Sequence, residues 1–331
     1  MNASPAAEGP ALDVVLVNWN SGEQLRACLA SMAASRLSRV RLGRVVVVDN
    51  ASTDASADEL PAMLAGAPVR VLRNAANLGF ARACNQGAAA CGPDASPLLL
   101  FLNPDTVLAP DTLEVAAGFL AGPAPAQVGI LGVQLRDADG RIARSCARLP
   151  NLARLLGRSL GLEQLPSWLY PGHYLRRFGH DVSRPVGQVM GAFFLVRRSL
   201  FDALAGFDER FFVYYEEVDF TQRALARGCT SYFLASTHVQ HAGGGSSRQV
   251  KDRRLSYNLH SRLRYAGKHF SRPGALLVAL ATLGVEPLLR LGQAAVRADA
   301  AGAGQVLRGY RLLYAAVAGD LRAVLCRGGR R

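Results

Sequence analysis

Short apolar runs recur along the first hundred residues, and each ends in a polar turn. Leu12–Val17 leads into Asn18-Trp19-Asn20, Val45–Val48 into Asp49-Asn50-Ala51-Ser52-Thr53-Asp54, and Leu98–Leu102 into Asn103-Pro104-Asp105. Runs of this length bounded by turn residues read as buried strands. Val69–Leu72 reads as another. Between them the apolar spacing turns helical. Ser21–Ala34 carries Leu25, Cys28, Leu29 and Met32 on one face with Ser21 as N-cap, Ser56–Leu64 follows, and Asn77-Leu78-Gly79-Phe80 opens Ala81–Ala90. Further on, Gln188–Val196 and Ser231–Ala235 read as strands, and Ser199–Ala203, Phe220–Arg227 and Leu255–His269 as helices. Pro150–Pro185 is rich in Arg and Leu without a clean period and reads as a mobile insertion near an acceptor site. Strand–helix alternation predicts an α/β fold, a doubly wound and mainly parallel sheet that binds ligands beyond its strands' carboxyl ends. A dinucleotide-binding domain would show a glycine fingerprint after the first strand, where this chain has Asn18-Trp19-Asn20-Ser21-Gly22.

Composition changes this picture in one respect. The 331 residues are half hydrophobic and 19% charged, which suits a chain with a sizeable core. Residues 1–245 hold 22 basic and 21 acidic residues, whereas residues 246–331 hold 16 and 4, a net charge of +12 on the tail. A basic amphipathic tail suits an anionic membrane surface. Few aromatics and no reading motif argue against nucleic acid. The six scattered cysteines match no zinc pattern and read as free thiols of a reducing compartment. Met1–Pro10 shows no signal peptide. The expected organisation is a flexible stretch 1–11, a catalytic domain 12–250 and a helical, membrane-associating extension 251–331.

The polar turns offer chemistry. Asp49 at a strand end can accept the imide N–H of a uracil or thymine ring, although the same residues would also suit an ordinary turn. Asp105 is placed to hold Mg²⁺ or Mn²⁺ against a diphosphate, since hard cations share oxygen ligands with phosphates. Glu216, Glu217 and Asp219 follow the aromatic run Phe211–Tyr215. A carboxylate against an apolar wall has a raised pKa and suits a general base, while acids also favour a helix N-terminus. His238 and His241 precede a Gly-Ser segment whose backbone N–H groups and Arg248 could meet phosphate.

In this order the segments resemble family 2 glycosyltransferases of the GT-A fold, in particular their rhamnosyltransferase-like branch. The stretches that carry the resemblance are Val14–Ser21, Val47–Asp54, Asn77–Gly87, Phe101–Thr106, Gly191–Arg198, Gly206–Arg223 and His241–Arg248. The resemblance implies an inverting, metal-dependent transferase with a nucleotide-diphosphate sugar donor. It puts Asp49 on the nucleobase, with Asn18, Asn20 and Asn50 nearby, and Asn77, Gly79 and Asn85 in the donor pocket. Asp105 takes the last position of the metal-binding acidic motif, whose first position is Asn103 here, and His241 matches a ligand of some relatives. Glu217 takes the general-base position, with Glu216 and Asp219 as alternatives. Gly206, Phe207, Asp208 and Glu209 would shape the acceptor site.

The implied donor is dTDP-L-rhamnose, with UDP-sugars such as UDP-galactofuranose as the alternative. The implied acceptor is a cell-surface glycan precursor on a polyprenyl diphosphate. A sugar-phosphate nucleotidyltransferase would carry a Gly-rich, basic loop after the first strand, which is missing here, and an inactive subunit would not keep Asp105, Glu217 and His241. In the tail the apolar run Gly274–Val285 stops at Glu286 and Pro287, short of the roughly 20 residues that span a bilayer. The expectation is therefore a cytoplasmic protein, peripheral on the inner face of the membrane, with Arg290, Arg297, Arg308 and Arg311 toward lipid phosphates.

Overall fold

The computed structural model describes residues 9–241, 243 and 251–328, with side chains as far as Asp320. Its elements begin with β1 (Ala11–Asn18), α1 (Glu23–Ala33), β2 (Arg41–Asp49), β3 (Met63–Leu64), β4 (Ala67–Arg73), α2 (Phe80–Ala90), β5 (Leu98–Leu102) and β6 (Thr106–Leu108). Next come α3 (Thr112–Ala121), β7 (Val128–Arg136), β8 (Cys146–Ala147), α4 (Leu152–Ser159), β9 (Arg184–Val186), β10 (Gln188–Val189) and β11 (Phe193–Arg197). The chain ends with α5 (Arg198–Ala203), α6 (Glu216–Leu225), β12 (Thr230–His241), α7 (Lys251–His269), α8 (Arg272–Leu280), α9 (Glu286–Val296) and α10 (Ala300–Gly328). They form two compact units. One holds residues 9–149, 174–209 and 216–241; the other holds 150–173, 210–215 and 251–328.

The first unit is an α/β sheet in the order β3-β4-β2-β1-β5-β11-β7-β12-β6, with β9 on β12. β1 pairs in parallel with β2 and β5, β2 with β4, and β7 with β12. β11 runs against both β5 and β7, so the sheet is mainly parallel with one reversed strand near its middle. β1 and β5 are buried along their whole length, as strands covered on both faces must be. One polar residue interrupts β1: Asp13 is fully buried and accepts from Arg44 N (2.9 Å), Ser96 N (2.8 Å) and Ser96 Oγ (2.8 Å). It ties the first half of β2 to the turn before β5. The parallel register brings Asn18 beside Asp49, so the polar turns meet at one edge.

The structure corrects several local expectations. Residues 56–64 form turns and the short β3 rather than a helix. Ser56 accepts from Asn18 Nδ2 (2.8 Å) and bonds the Asp54 carboxylate, Glu59 takes a left-handed backbone (φ 52°), and Pro61 lacks the N–H a helix would need. Ser21 does not cap α1; its hydroxyl donates to Asn18 Oδ1, and Gly22 occupies the cap position. The single strand expected over 188–196 is two, because Gly187 and Gly191 flank a separate pairing of β10 with β8. α6 begins at Glu216, four residues before the helix expected there. Part of the expected loop 150–185 is helical as α4, capped by Asn151 Oδ1 on Arg154 N (2.9 Å).

The second unit is helical. Arg272–Val296 is one continuous helix, long and apolar enough by composition to cross a membrane, so neither Glu286 nor Pro287 ends it. A π-turn at Ala281–Val285 joins α8 to α9 just before Pro287. Proline cannot donate back to the preceding turn, which leaves carbonyls without intrahelical partners. The Thr282 carbonyl accepts from Tyr310 Oη (3.2 Å) and that of Leu283 from Tyr314 Oη (2.6 Å), both on α10. The same turn keeps Glu286 on the buried side. Its carboxylate accepts from Arg262 Nη1 (2.6 Å) and Arg290 Nη2 (2.7 Å), and Arg262, itself fully buried, also donates to Ser159 Oγ (2.9 Å). Of the arginines expected toward lipid, Arg290 is paired with Glu286, and Arg308 lies 3.6 Å from Asp252.

Candidate active site

The site collects at the carboxyl edge of the parallel strands. On the side expected to take the nucleotide, Asn18 Nδ2 donates to Asp49 Oδ1 (2.9 Å) and Ser52 Oγ (3.0 Å). Asp49 is 5% exposed, and its other oxygen faces Arg73 Nη1 at 3.6 Å. Asn20 Oδ1 accepts from Thr53 N (2.7 Å) and holds the second turn; its own backbone is left-handed (φ 48°), a region asparagine tolerates. Asn50 donates to Asn77 Oδ1 (2.9 Å) and the Gly79 carbonyl (3.2 Å) and accepts from Leu78 N (3.0 Å). These asparagines hold the loops at the ends of β1 and β2 and before α2 in one cradle. Gly79 has φ 88° and turns the chain into α2.

Asn85 holds a distant segment. It was expected on the donor side, but its amide donates to the Phe207 carbonyl (2.9 Å) and accepts from Phe207 N (2.9 Å). It also reaches Glu209 Oε1 at 3.1 Å. Gly206 has φ 73°, and a side chain there would collide with Asn85 Oδ1 at 2.5 Å. Asn85 thus fixes the segment Gly206–Glu209, and Phe207 anchors it by burying its ring among Phe101, Phe201 and Phe220. Asp208 is half-buried and Glu209 exposed.

The edge that carries the candidate base is built through Gly191 and Ala192. Asn103 N donates to the Ala192 carbonyl (3.0 Å), which fixes the Asn103–Asp105 turn. A Cβ on Gly191 would stand 3.8 Å from Glu217 Cγ, so Glu217 packs directly on this glycine. Glu216 and Glu217 open α6, behind Tyr214 and Tyr215, whose backbones are both left-handed (φ 67° and 69°). Such conformations in bulky residues store strain, and they cluster at functional sites. Oε2 of each glutamate is buried and has no hydrogen-bond partner among the described residues. Burial pushes both carboxyls above the usual glutamate range. For Glu216 the Glu217 charge adds to the rise, whereas for Glu217 the N–H groups of the first helical turn pull part of it back. Asp219 is different: fully buried, it accepts from Arg223 Nε (2.8 Å), and Arg223 clamps the carbonyls of Leu204 (2.7 Å) and Gly206 (2.9 Å).

β6 and β12 bring the two expected metal ligands together. His241 pairs in register with Thr106, and its Nε2 lies 3.3 Å from Asp105 Oδ1. Neighbouring ligands on one six-coordinate ion with bonds of about 2.1 Å stand about 3 Å apart, so this pair fits a shared cation. Among the described residues no third ligand-type side chain joins them. A donor set of one oxygen and one nitrogen suits an ion that fills its remaining positions with phosphate oxygens and water. His238 sits on the same strand, and burial and then the nearby Arg136 charge lower its pKa. Arg248 lies outside the described residues. The free thiols of Cys28, Cys91 and Cys146 are pushed up to about 12 by burial, and none is poised as a nucleophile.

A mainly parallel sheet with polar residues gathered at its carboxyl edge is an α/β fold of the ligand-binding kind. Residues 13–204 match the family described as glycosyl transferase family 2, and the chain belongs to that family. A relative from Mycobacterium tuberculosis, N-acetylglucosaminyl-diphospho-decaprenol L-rhamnosyltransferase, is 31% identical over 243 residues, covering 70% of this chain and 75% of the relative. An O-antigen biosynthesis protein of Myxococcus xanthus is 31% identical over 154 residues, 46% of this chain and 11% of that one. Among solved structures, a mannosyltransferase from Pyrobaculum calidifontis with GDP-Man and Mn²⁺ superposes with TM-score 0.51 at 16% identity, over 97% of this chain and 80% of the other. GalNAc-T7 with UDP, GalNAc and Mn²⁺ superposes with TM-score 0.56 at 15% identity, over 79% and 48%. These likenesses establish the GT-A architecture.

Proposed function

We propose that this glycosyltransferase moves L-rhamnose from dTDP-L-rhamnose, with inversion, to a hydroxyl of a polyprenyl-diphosphate-linked glycan precursor. The observation that carries the reading is Glu217, with an unpartnered buried oxygen, packed on the glycine that adjoins the Asn103–Asp105 turn. The likeness to the mycobacterial rhamnosyltransferase supports the sugar and the lipid-linked acceptor.

The reaction needs a base at the acceptor hydroxyl and a counter-charge at the leaving diphosphate. Glu217 takes the hydroxyl proton, and its raised pKa makes it a better base than an exposed carboxylate. The acceptor oxygen bonds to the anomeric carbon as the bond to the diphosphate breaks on the opposite face. Configuration inverts in one displacement, and dTDP leaves. A divalent cation held by Asp105 and His241 would supply Lewis-acid charge to that diphosphate. Asp49 receives the thymine imide N–H, and the Asn18, Asn50 and Asn77 loops position the base. Arg223 engages Asp219, and of the two remaining glutamates Glu217, which packs on Gly191, is the one we take as the base.

Thermal-shift screening of nucleotide sugars with Mn²⁺ present tests the donor. Greater protection by dTDP-L-rhamnose than by UDP-sugars supports the reading. Stronger protection by UDP-galactofuranose overturns it.

A further inference from the structure

The helix that carries Glu217 is entered through a strained approach. Tyr214 and Tyr215, directly before Glu216, are both left-handed, and bulky residues stay in that region only where their surroundings hold them. The groups that hold them lie on α7.

α7 has two working faces. Leu255, Leu259 and Leu263 pack with Tyr310 and Leu313 of α10. Tyr257, Ser261 and Tyr265 are also spaced by four, and an offset of two residues puts them about half a turn away, on the opposite face. That face receives the segment Arg210–Tyr215, which belongs with α7 to the helical unit. The Tyr257 ring lies against Phe212, with centroids 4.9 Å apart. The Ser261 hydroxyl, 3% exposed, donates to the Val213 carbonyl (2.9 Å). Tyr265 is fully buried, and its ring centroid stands 5.5 Å from that of Tyr215. Arg264 donates to the Arg210 carbonyl and to Asp320 of α10 (2.9 Å). One anchor thus sits just before the strained pair and one on its second member. After Tyr215 the chain leaves the helical unit, and Glu216 opens α6.

We propose that α7 is a clamp on the reaction: Ser261, with the Tyr257 and Tyr265 rings, holds Val213–Tyr215 in its left-handed path and thereby positions Glu217. These are positioning residues, since they act through the peptide that leads into α6. A small misplacement of a reacting group costs rate even when its chemistry is intact. The inference rests on the reading of Glu217 as the base.

Ser261→Ala and Tyr257→Leu in the full-length protein test the clamp, with Tyr257→Phe as the variant that keeps the ring. Turnover is measured with dTDP-L-rhamnose and a polyprenyl-diphosphate-linked N-acetylglucosamine. In Ser261→Ala and Tyr257→Leu, kcat falls roughly five- to tenfold, as loss of one anchoring contact would give, while both KM values stay within about twofold. Tyr257→Phe keeps the parent's kcat. Hydrogen exchange at the amides of residues 214–219 rises by a similar factor in the two weakened variants. A merely structural serine would lower the melting temperature and leave kcat and that exchange alone; this result overturns the proposal, as does a loss in Tyr257→Phe equal to that in Tyr257→Leu. If Ser261→Ala does not fold, the half-buried Tyr257 carries the same test. A parent inactive on these substrates counts against the proposed function, and the exchange measurement then decides the clamp by itself. Full turnover in Glu217→Gln moves the base, while raised exchange in Ser261→Ala still supports the clamp.

Discussion

His241 Nε2 and Asp105 Oδ1 lie 3.3 Å apart at the ends of adjacent strands, both largely shielded from water. The pair unites a turn after β5 with the last residue of β12, and the sheet alone brings them together. Asp105→Ala lowers turnover roughly 10²-fold or more, the rate equivalent of several kcal/mol of Lewis-acid stabilisation, and weakens Mn²⁺ and donor binding together. His241→Ala does so more mildly. Calorimetric titration of Mn²⁺ with and without nucleotide checks both, and full turnover in excess EDTA would remove the cation from the reaction.

Glu217→Gln lowers kcat by roughly 10²–10⁴-fold while donor affinity holds, because the side chain acts on the acceptor. The pH profile is a second readout. Folded Glu217 titrates above the usual glutamate range, so its proton-accepting form appears only as pH rises through that raised value. The ascending limb of kcat/KM therefore lies above an ordinary glutamate pKa and disappears in the glutamine variant. An unshifted limb, or loss of turnover confined to Asp219→Asn, would move the base elsewhere.

Glu216 affects stability as a function of pH. Its folded pKa is raised by burial, so the stability tied to its protonated form is present below the unfolded value and lost as pH rises through the folded one. Glu216→Gln is consequently more stable than the parent at neutral pH, and the difference closes in acid. Denaturant midpoints measured across that range decide it.

Asp49→Asn replaces an acceptor for the nucleobase imide by a group that can also donate. It raises donor KM with little change in kcat, since the base is held alike in ground and transition states. Competition by free dTDP falls in parallel. A change in kcat alone would place Asp49 outside the nucleotide site.

In the helical unit, Glu286→Ala leaves Arg262 buried without its counter-ion and costs about 3–5 kcal/mol. Replacing both, Arg262→Met with Glu286→Leu, recovers most of that loss. Urea unfolding of the three proteins measures it.

The strands that carry the site were legible because a strand buried on both faces reads as an unbroken apolar run. Val45–Val48 and Leu98–Leu102 lie within β2 and β5. The polar turns behind them were legible for the same reason. Less so was anything decided by distant partners. Alternating polarity does not reveal that β11 enters the sheet reversed, and α3, rich in small residues, carries little pattern of its own. The Ser56–Leu64 region had helical spacing, but side-chain bonds from Asn18 and Asp54 won over it. Asn85 looked like its neighbour Asn77 in the donor loop; its partner, the Phe207 backbone, lies far along the chain. Among three carboxylates in one short segment, the sequence does not show that Arg223 engages Asp219 alone.

Tyr310 and Tyr314 answer the carbonyls of Thr282 and Leu283, and this has a consequence for synthesis. The chain emerges from the ribosome with the leucine-rich helix first and the hydroxyls that complete it later. A product that stops between residues 297 and 309 carries the proline-interrupted helix with its open carbonyls and without the α10 surface on which it rests. Such a fragment has every reason to aggregate or be degraded, whereas one that extends past Tyr314 can close the turn. The last helix is thus the latch of the helical unit, and nonsense changes ahead of it act on folding before they touch chemistry.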